Sequence, residues 1–127
     1  MNTWGWLVVV VLLLVYVLYR FQSARGYKTI QPEELQALLS DKKASAQLVD
    51  VREPGEFRQE HIRGFRNIPL GQLSNRLEEL RKDEPVVVMC RSGMRSRQAA
   101  RILAKCGFQD VRNLAGGIMA WNSRRKG

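Results

Sequence analysis

A chain of 127 residues supports one small domain with a modest core and excludes two. Lysine and arginine outnumber aspartate and glutamate by 21 to 12, and no charged side chain precedes Arg20, so the net charge of +9 sits entirely on the rest of the chain. Such an excess suits nucleic acid, an anionic membrane face or a small anionic substrate; aromatic residues are not interleaved with the basic ones and no nucleic-acid motif occurs, which ranks nucleic acid last.

In chain order, the first element is WGWLVVVVLLLVYVLY, Trp4 to Tyr19, which carries no charge. At about 1.5 Å per residue it extends roughly 24 Å as a helix, slightly less than a bilayer core of about 30 Å. Phe21 and a snorkelling Arg20 can extend it, and Trp4, Trp6, Tyr16 and Tyr19 lie at its ends, where amphipathic rings prefer the interface. A cleaved signal peptide would need a basic start and a small-residue cleavage site, and neither is present. The reading is an N-terminal transmembrane anchor over residues 1–21. Arg20, Arg25 and Lys28 flank only its C-terminal side, so the charge bias places the soluble part in the cytoplasm, beside anionic lipid.

After a polar linker at 22–26, strand-like and helix-like segments alternate. YKTI (27–30) is strand-like. Pro32 suits the first turn of a helix, Glu33 and Glu34 suit its positive end, and Leu35, Leu38 and Leu39 supply its apolar stripe. QLVDV (47–51) reads as a buried strand, EPGEFRQEH (53–61) as a turn with a short helix, and FRNI (65–68) as a brief extended piece. LSNRLEELRK (73–82) places Leu73, Leu77 and Leu80 at helical spacing, while VVVM (86–89) is uniformly apolar and therefore central. RSRQAARILAKCGF (95–108) holds a helix that stops at Gly107, DVRNL (110–114) is the last strand, and GGIMAWNSRRK holds a final short helix before a basic tail at 123–127. The alternation predicts an α/β domain over residues 27–122, with a parallel sheet between helices and a ligand site beyond the carboxyl ends of the strands.

Cys90 stands at such an end. The two cysteines, Cys90 and Cys106, lack metal-ligand spacing and are too few for a disulfide framework, so a reduced setting with one working thiol is expected. A nucleophilic cysteine acts as the thiolate and needs positive potential. CRSGMRS supplies it from backbone N–H groups in a tight loop at Gly93, from the start of the next helix near Ser96, and from Arg91 and Arg95, with Arg97 close by. Ser92 and Ser96 add hydroxyl donors. Against this stands the bland alternative of an inert buried thiol beside a solvated basic face.

DVREPGEF, HIRGFRNIP, CRSGMRS and LAGGIMAW, in this order and spacing, resemble a single-domain rhodanese. The resemblance implies a central parallel sheet flanked by helices and transfer of sulfane sulfur through a cysteine persulfide, with no metal or organic cofactor. Cys90 would attack the outer sulfur of thiosulfate or a related donor, and sulfite would leave. Arg91 and Arg95 would counter the donor charge. The loop N–H groups of Arg91, Ser92, Gly93, Met94, Arg95 and Ser96 would hold the persulfide sulfur until a thiol or protein acceptor, or cyanide, takes it. Rhodanese-related phosphatases and arsenate reductases place five residues between cysteine and arginine; here Arg95 comes one position early and Ser96 takes the sixth place, which favours sulfur over a tetrahedral oxyanion. A membrane-tethered persulfide relay or docking module is a third reading.

Asp50 and Arg52 match the family's D-x-R element and are expected to give structural support, as is His61 through a hydrogen bond. Glu53 and Glu56 are expected to set a turn and a helix start. Glu60 and Phe65 depart from the family's usual glycine and small residue, which bears on the local turn rather than on the chemistry. Cys106 and Trp121 read as packing residues, Met94 as a residue shaping acceptor access, and Gly116 and Gly117 as a tight turn.

Overall fold

The computed structural model describes residues 3–23 and 26–126. Five strands form one sheet: β1 (Lys28–Ile30), β2 (Gln47–Asp50), β3 (Arg66–Asn67), β4 (Val86–Met89) and β5 (Val111–Leu114). Their spatial order is β1-β5-β4-β2-β3 and every pairing is parallel. Among the described residues six α-helices accompany them: α1 (Gly5–Ser23), α2 (Pro32–Ser40), α3 (Pro54–Gln59), α4 (Leu70–Leu73), α5 (Met94–Lys105) and α6 (Gly117–Lys126). The sheet separates two apolar clusters. On one face Val86, Val88, Leu73, Ala99 and Leu103 pack under α4 and α5. On the other Val87, Met89, Leu35, Ile118 and Trp121 pack under α2 and α6, with Phe57 of α3 against them. All four residues of β4 are fully buried because both faces of a central parallel strand are covered.

The expected elements form with small shifts of boundary. One differs in kind: the helix expected over 73–82 is the single turn α4 followed by a 3-10 turn at Leu77–Glu79. Arg76 between them leaves helical geometry at φ −128°, and its guanidinium spans Gln72 and Glu79. Leu73 and Leu80 still reach the core without a continuous helix, so the leucine spacing served packing rather than helix continuity. The expected basic tail at 123–127 belongs, through Lys126, to α6. Residues 24 and 25 of the expected linker, and Gly127, lie outside the described residues.

The N-terminal segment is helical, and every described side chain from Trp4 to Arg20 is exposed. The expected membrane span over residues 1–21 is nonetheless not supported: among the described residues no helix is long and apolar enough to cross a membrane. The uncharged run from Gly5 to Tyr19 extends about 22 Å before Arg20 interrupts it, which falls short of a bilayer core.

Candidate active site at the carboxyl end of the central strand

Cys90 is the residue directly after β4. The chain turns through Ser92 and Gly93 and enters α5 at Met94. The turn requires Gly93: its φ of +112° lies in the left-handed region, and it serves as the N-terminal cap of α5. The Gly93 N–H donates to Cys90 Sγ at 3.0 Å. Cys90 Sγ donates to the Ser96 hydroxyl oxygen at 3.3 Å, and that hydroxyl donates to the Gly93 carbonyl oxygen at 3.2 Å; once the sulfur is a thiolate, the hydroxyl turns its one proton from that carbonyl to the sulfur. Cys90 and Ser96 are both buried. Burial alone would push the thiol up, but the Ser96 hydroxyl and the N–H groups of Ser96, Gly93 and Ser92 outweigh it, and the thiol is held below its ordinary value.

The arginines divide into two roles. Arg95, expected to counter a donor's charge, is committed to Glu56 on α3 by a two-pronged ion pair at 2.6 and 3.0 Å. That guanidinium pulls the Glu56 carboxyl down to about 2. Glu56 also accepts from the Glu53 N–H at 3.1 Å, completing the expected helix start, so one carboxylate ties α3 to the cysteine loop. Arg91 is exposed and lines a cleft of about 390 Å³ with Glu56, Met119 and Asn122. Arg97 is exposed in the first turn of α5. Met94 is exposed beside the loop.

The supporting residues serve neighbouring turns. Asp50 and Arg52 pair with each other, fully buried, at 2.8 Å, and Arg52 also donates to the Glu60 carbonyl at 2.6 Å. Asn67, which the sequence reading passed over, donates from Nδ2 to the carbonyls of both Asp50 and Arg52, at 3.0 and 2.8 Å. His61 hydrogen-bonds Phe57 O at 2.9 Å and stacks on the Phe57 ring, contacts that hold the end of α3 rather than the cysteine. Glu60 accepts from Asn122 of α6 at 3.0 Å, and Phe65 is buried, so both departures from the family pattern are absorbed locally. Cys106 is half-buried against the α5 side of the core and Trp121 is buried on the opposite face. Among the described residues no cluster of histidine, cysteine and carboxylates could hold a metal ion.

A family model for the rhodanese-like domain matches residues 31–124. The chain belongs to the rhodanese-like domain family. The rhodanese-like chain is 40% identical over 124 residues to the uncharacterized protein YqhL of Bacillus subtilis, covering 94% of this chain and 95% of that one. It is 36% identical over 97 residues to the thiosulfate sulfurtransferase GlpE of Pseudomonas fluorescens, covering 76% of this chain and 86% of the relative. Among solved structures, the human single-domain sulfurtransferase TSTD1 superposes with a TM-score of 0.71 at 27% identity, over 78% of this chain and 98% of that chain. These relationships support sulfur transfer at the level of the rhodanese-like family.

Proposed function

We propose that the protein takes sulfane sulfur from thiosulfate or a related anionic donor and passes it to a thiol acceptor through a persulfide on Cys90. The observation that carries this reading is a buried thiol within hydrogen-bond reach of the Gly93 N–H and the Ser96 hydroxyl at the end of a central strand. In the first step the Cys90 thiolate attacks the outer sulfur of the donor. The Sγ–S bond forms, the donor S–S bond breaks, and sulfite leaves with the electron pair. In the second step an acceptor thiolate attacks the outer sulfur of the persulfide, and Cys90 leaves as a thiolate stabilised by the same donors. The pairing of Arg95 with Glu56 weighs against the phosphatase and arsenate reductase alternatives, which need an arginine free to face a tetrahedral oxyanion.

The purified chain, mixed with thiosulfate, is expected to gain the mass of one sulfur atom, and Cys90→Ala is expected to gain none. No gain at any donor concentration, or phosphate-ester hydrolysis at comparable rates, overturns the reading.

We propose also that α1 tethers the domain to a membrane, with the domain facing the cytoplasm. An unbroken apolar surface from Leu7 to Leu18, exposed on all sides, supports attachment to lipid. The basic residues that follow it suit the anionic lipid of a cytoplasmic membrane face. Cell fractionation is expected to place the full chain in the membrane pellet, and alkaline carbonate washing distinguishes an inserted helix from a surface-bound one. A membrane-impermeant thiol reagent is expected to miss Cys90 in intact cells; efficient labelling refutes the cytoplasmic orientation.

A further inference from the structure

The mouth of the cysteine loop is held from outside by a different part of the chain. α6 begins at Gly117, with two residues between it and the end of β5, and its first free N–H groups do not face solvent. Ile118 N–H donates to the carbonyl oxygen of Cys90 at 2.9 Å, and Met119 N–H donates to the carbonyl oxygen of Arg91 at 3.1 Å. Neither bond belongs to the helix itself; both use N–H groups that a helix start leaves without an internal partner.

Gly117 makes this approach possible. Its φ is +60°, and a Cβ there would lie 2.6 Å from both the carbonyl carbon and the oxygen of Arg91, and closer still to the Cys90 oxygen. Those obstacles are backbone atoms, which cannot swing aside as a long side chain can. Any residue with a Cβ must push α6 and the loop apart.

The consequence for the sulfur follows from peptide geometry. There are no cis peptide bonds among the described residues, so the C=O and N–H of each unit point in opposite directions. The Arg91 carbonyl shares its peptide unit with the Ser92 N–H, one of the groups that stabilise the thiolate. Holding that carbonyl outward on Met119 therefore turns the Ser92 N–H inward. The bond from Ile118 fixes the preceding unit in the same way, at the residue that bears the nucleophile.

We propose that the start of α6 is a positioning element for the sulfur cradle, with Gly117 the positioning residue and the Ile118 and Met119 N–H groups the clamp that fixes the two peptide units leading from Cys90 towards the Gly93 N–H, which donates to Sγ at 3.0 Å. The inference deepens the sulfurtransferase reading, because the same amides would hold the persulfide. Its test does not depend on sulfur transfer.

The test is the pH dependence of Cys90 alkylation by iodoacetamide on the full chain in mild detergent, followed by mass spectrometry of the Cys90 peptide. Met119 is exposed and lies in the first turn of α6, where proline is tolerated, so Met119→Pro removes one clamp N–H and sets its ring against the Arg91 carbonyl oxygen, without breaking a hydrogen bond inside the helix. Met119→Ala is the reference for loss of the side chain. The alkylation midpoint of Met119→Pro is expected to lie above that of Met119→Ala, with about threefold to tenfold slower reaction at neutral pH and the same plateau at high pH. Gly117→Ala is expected to move the midpoint further in the same direction. A defect that merely loosened the fold would expose the thiol and raise the plateau instead. Coincident profiles for the proline and alanine variants of Met119 overturn the proposal, as does a cooperatively folded Gly117→Ala with the wild-type profile. Should Gly117→Ala fail to fold, the Met119 pair decides. If the wild-type chain gains no sulfur from thiosulfate while these shifts appear, the sulfurtransferase reading falls and the clamp stands.

Discussion

Replacing Glu56 by glutamine isolates the charge of the Glu56–Arg95 pair. Gln keeps an oxygen for the Glu53 N–H, so the start of α3 retains its cap, while the ion pair at 2.6 Å loses its negative partner. The depression of the Glu56 carboxyl from 4.5 to about 2 corresponds at neutral pH to about 3 kcal/mol. Both side chains are about one-third exposed, at 29% and 35%, so water screens the pair and ~1 kcal/mol is the expected loss. The sign of its pH dependence is set by the direction of that shift. A carboxylate held low in the folded state stabilises the protein above its unfolded value and loses that contribution as pH falls towards about 2. Urea unfolding of wild type and Glu56→Gln is expected to differ by ~1 kcal/mol at pH 7, and by less than about half of that near pH 3. An equal difference at both pH values would refute the argument, because the stability would then come from something other than the ionised pair.

Three further outcomes follow from the geometry. Ser96→Ala removes the hydroxyl 3.3 Å from the sulfur, so the Cys90 alkylation midpoint is expected to rise, with roughly tenfold slower reaction at neutral pH; an unmoved midpoint would leave the backbone amides as the whole cradle. Asp50→Ala leaves the buried Arg52 guanidinium without its counter-charge and is expected to cost about 3–5 kcal/mol in urea unfolding, with much of this recovered in Asp50→Ala/Arg52→Met; a loss below about 1 kcal/mol contradicts the burial of the pair. Arg91→Ala is expected to raise the KM for thiosulfate about tenfold with kcat within about twofold, since Arg91 is exposed at the cleft and Arg95 is committed elsewhere; an unchanged KM would show that the donor's charge is met by the loop amides alone.

Much of this site was legible in the order of residues. The uniformly apolar VVVM run pointed to a central strand covered on both faces, and a cysteine directly after it to the carboxyl end of the sheet. Gly93 marked the turn, though its left-handed cap starts α5 at Met94, two residues before the helix start expected at Ser96. The parts that escaped depend on contacts between distant segments. Glu56 accounts for itself locally as a helix-capping residue, and nothing in its neighbourhood announces an arginine 39 positions away. The leucines at 73, 77 and 80 satisfy a helical period, yet the chain between them breaks, because burial of spaced leucines does not demand an unbroken helix. Gly117 announced a turn, and only the packed backbone reveals what that turn is pressed against.

The topology also sets when α6 can hold the cysteine loop. β1, made first, pairs with β5, made last: Lys28 lies beside Arg112 and Ile30 beside Leu114. Pairings of such long sequence separation form late, because the loop they close carries a large entropic cost. α6 follows β5 after two residues, so the N–H groups that hold the Cys90 loop leave the ribosome after every strand of the sheet. A nascent or truncated chain ending before Gly117 therefore carries the cysteine without the completed cradle. On the clamp proposal its thiol would react more slowly at neutral pH than that of the full chain, although the Gly93 N–H and the Ser96 hydroxyl are already in the chain.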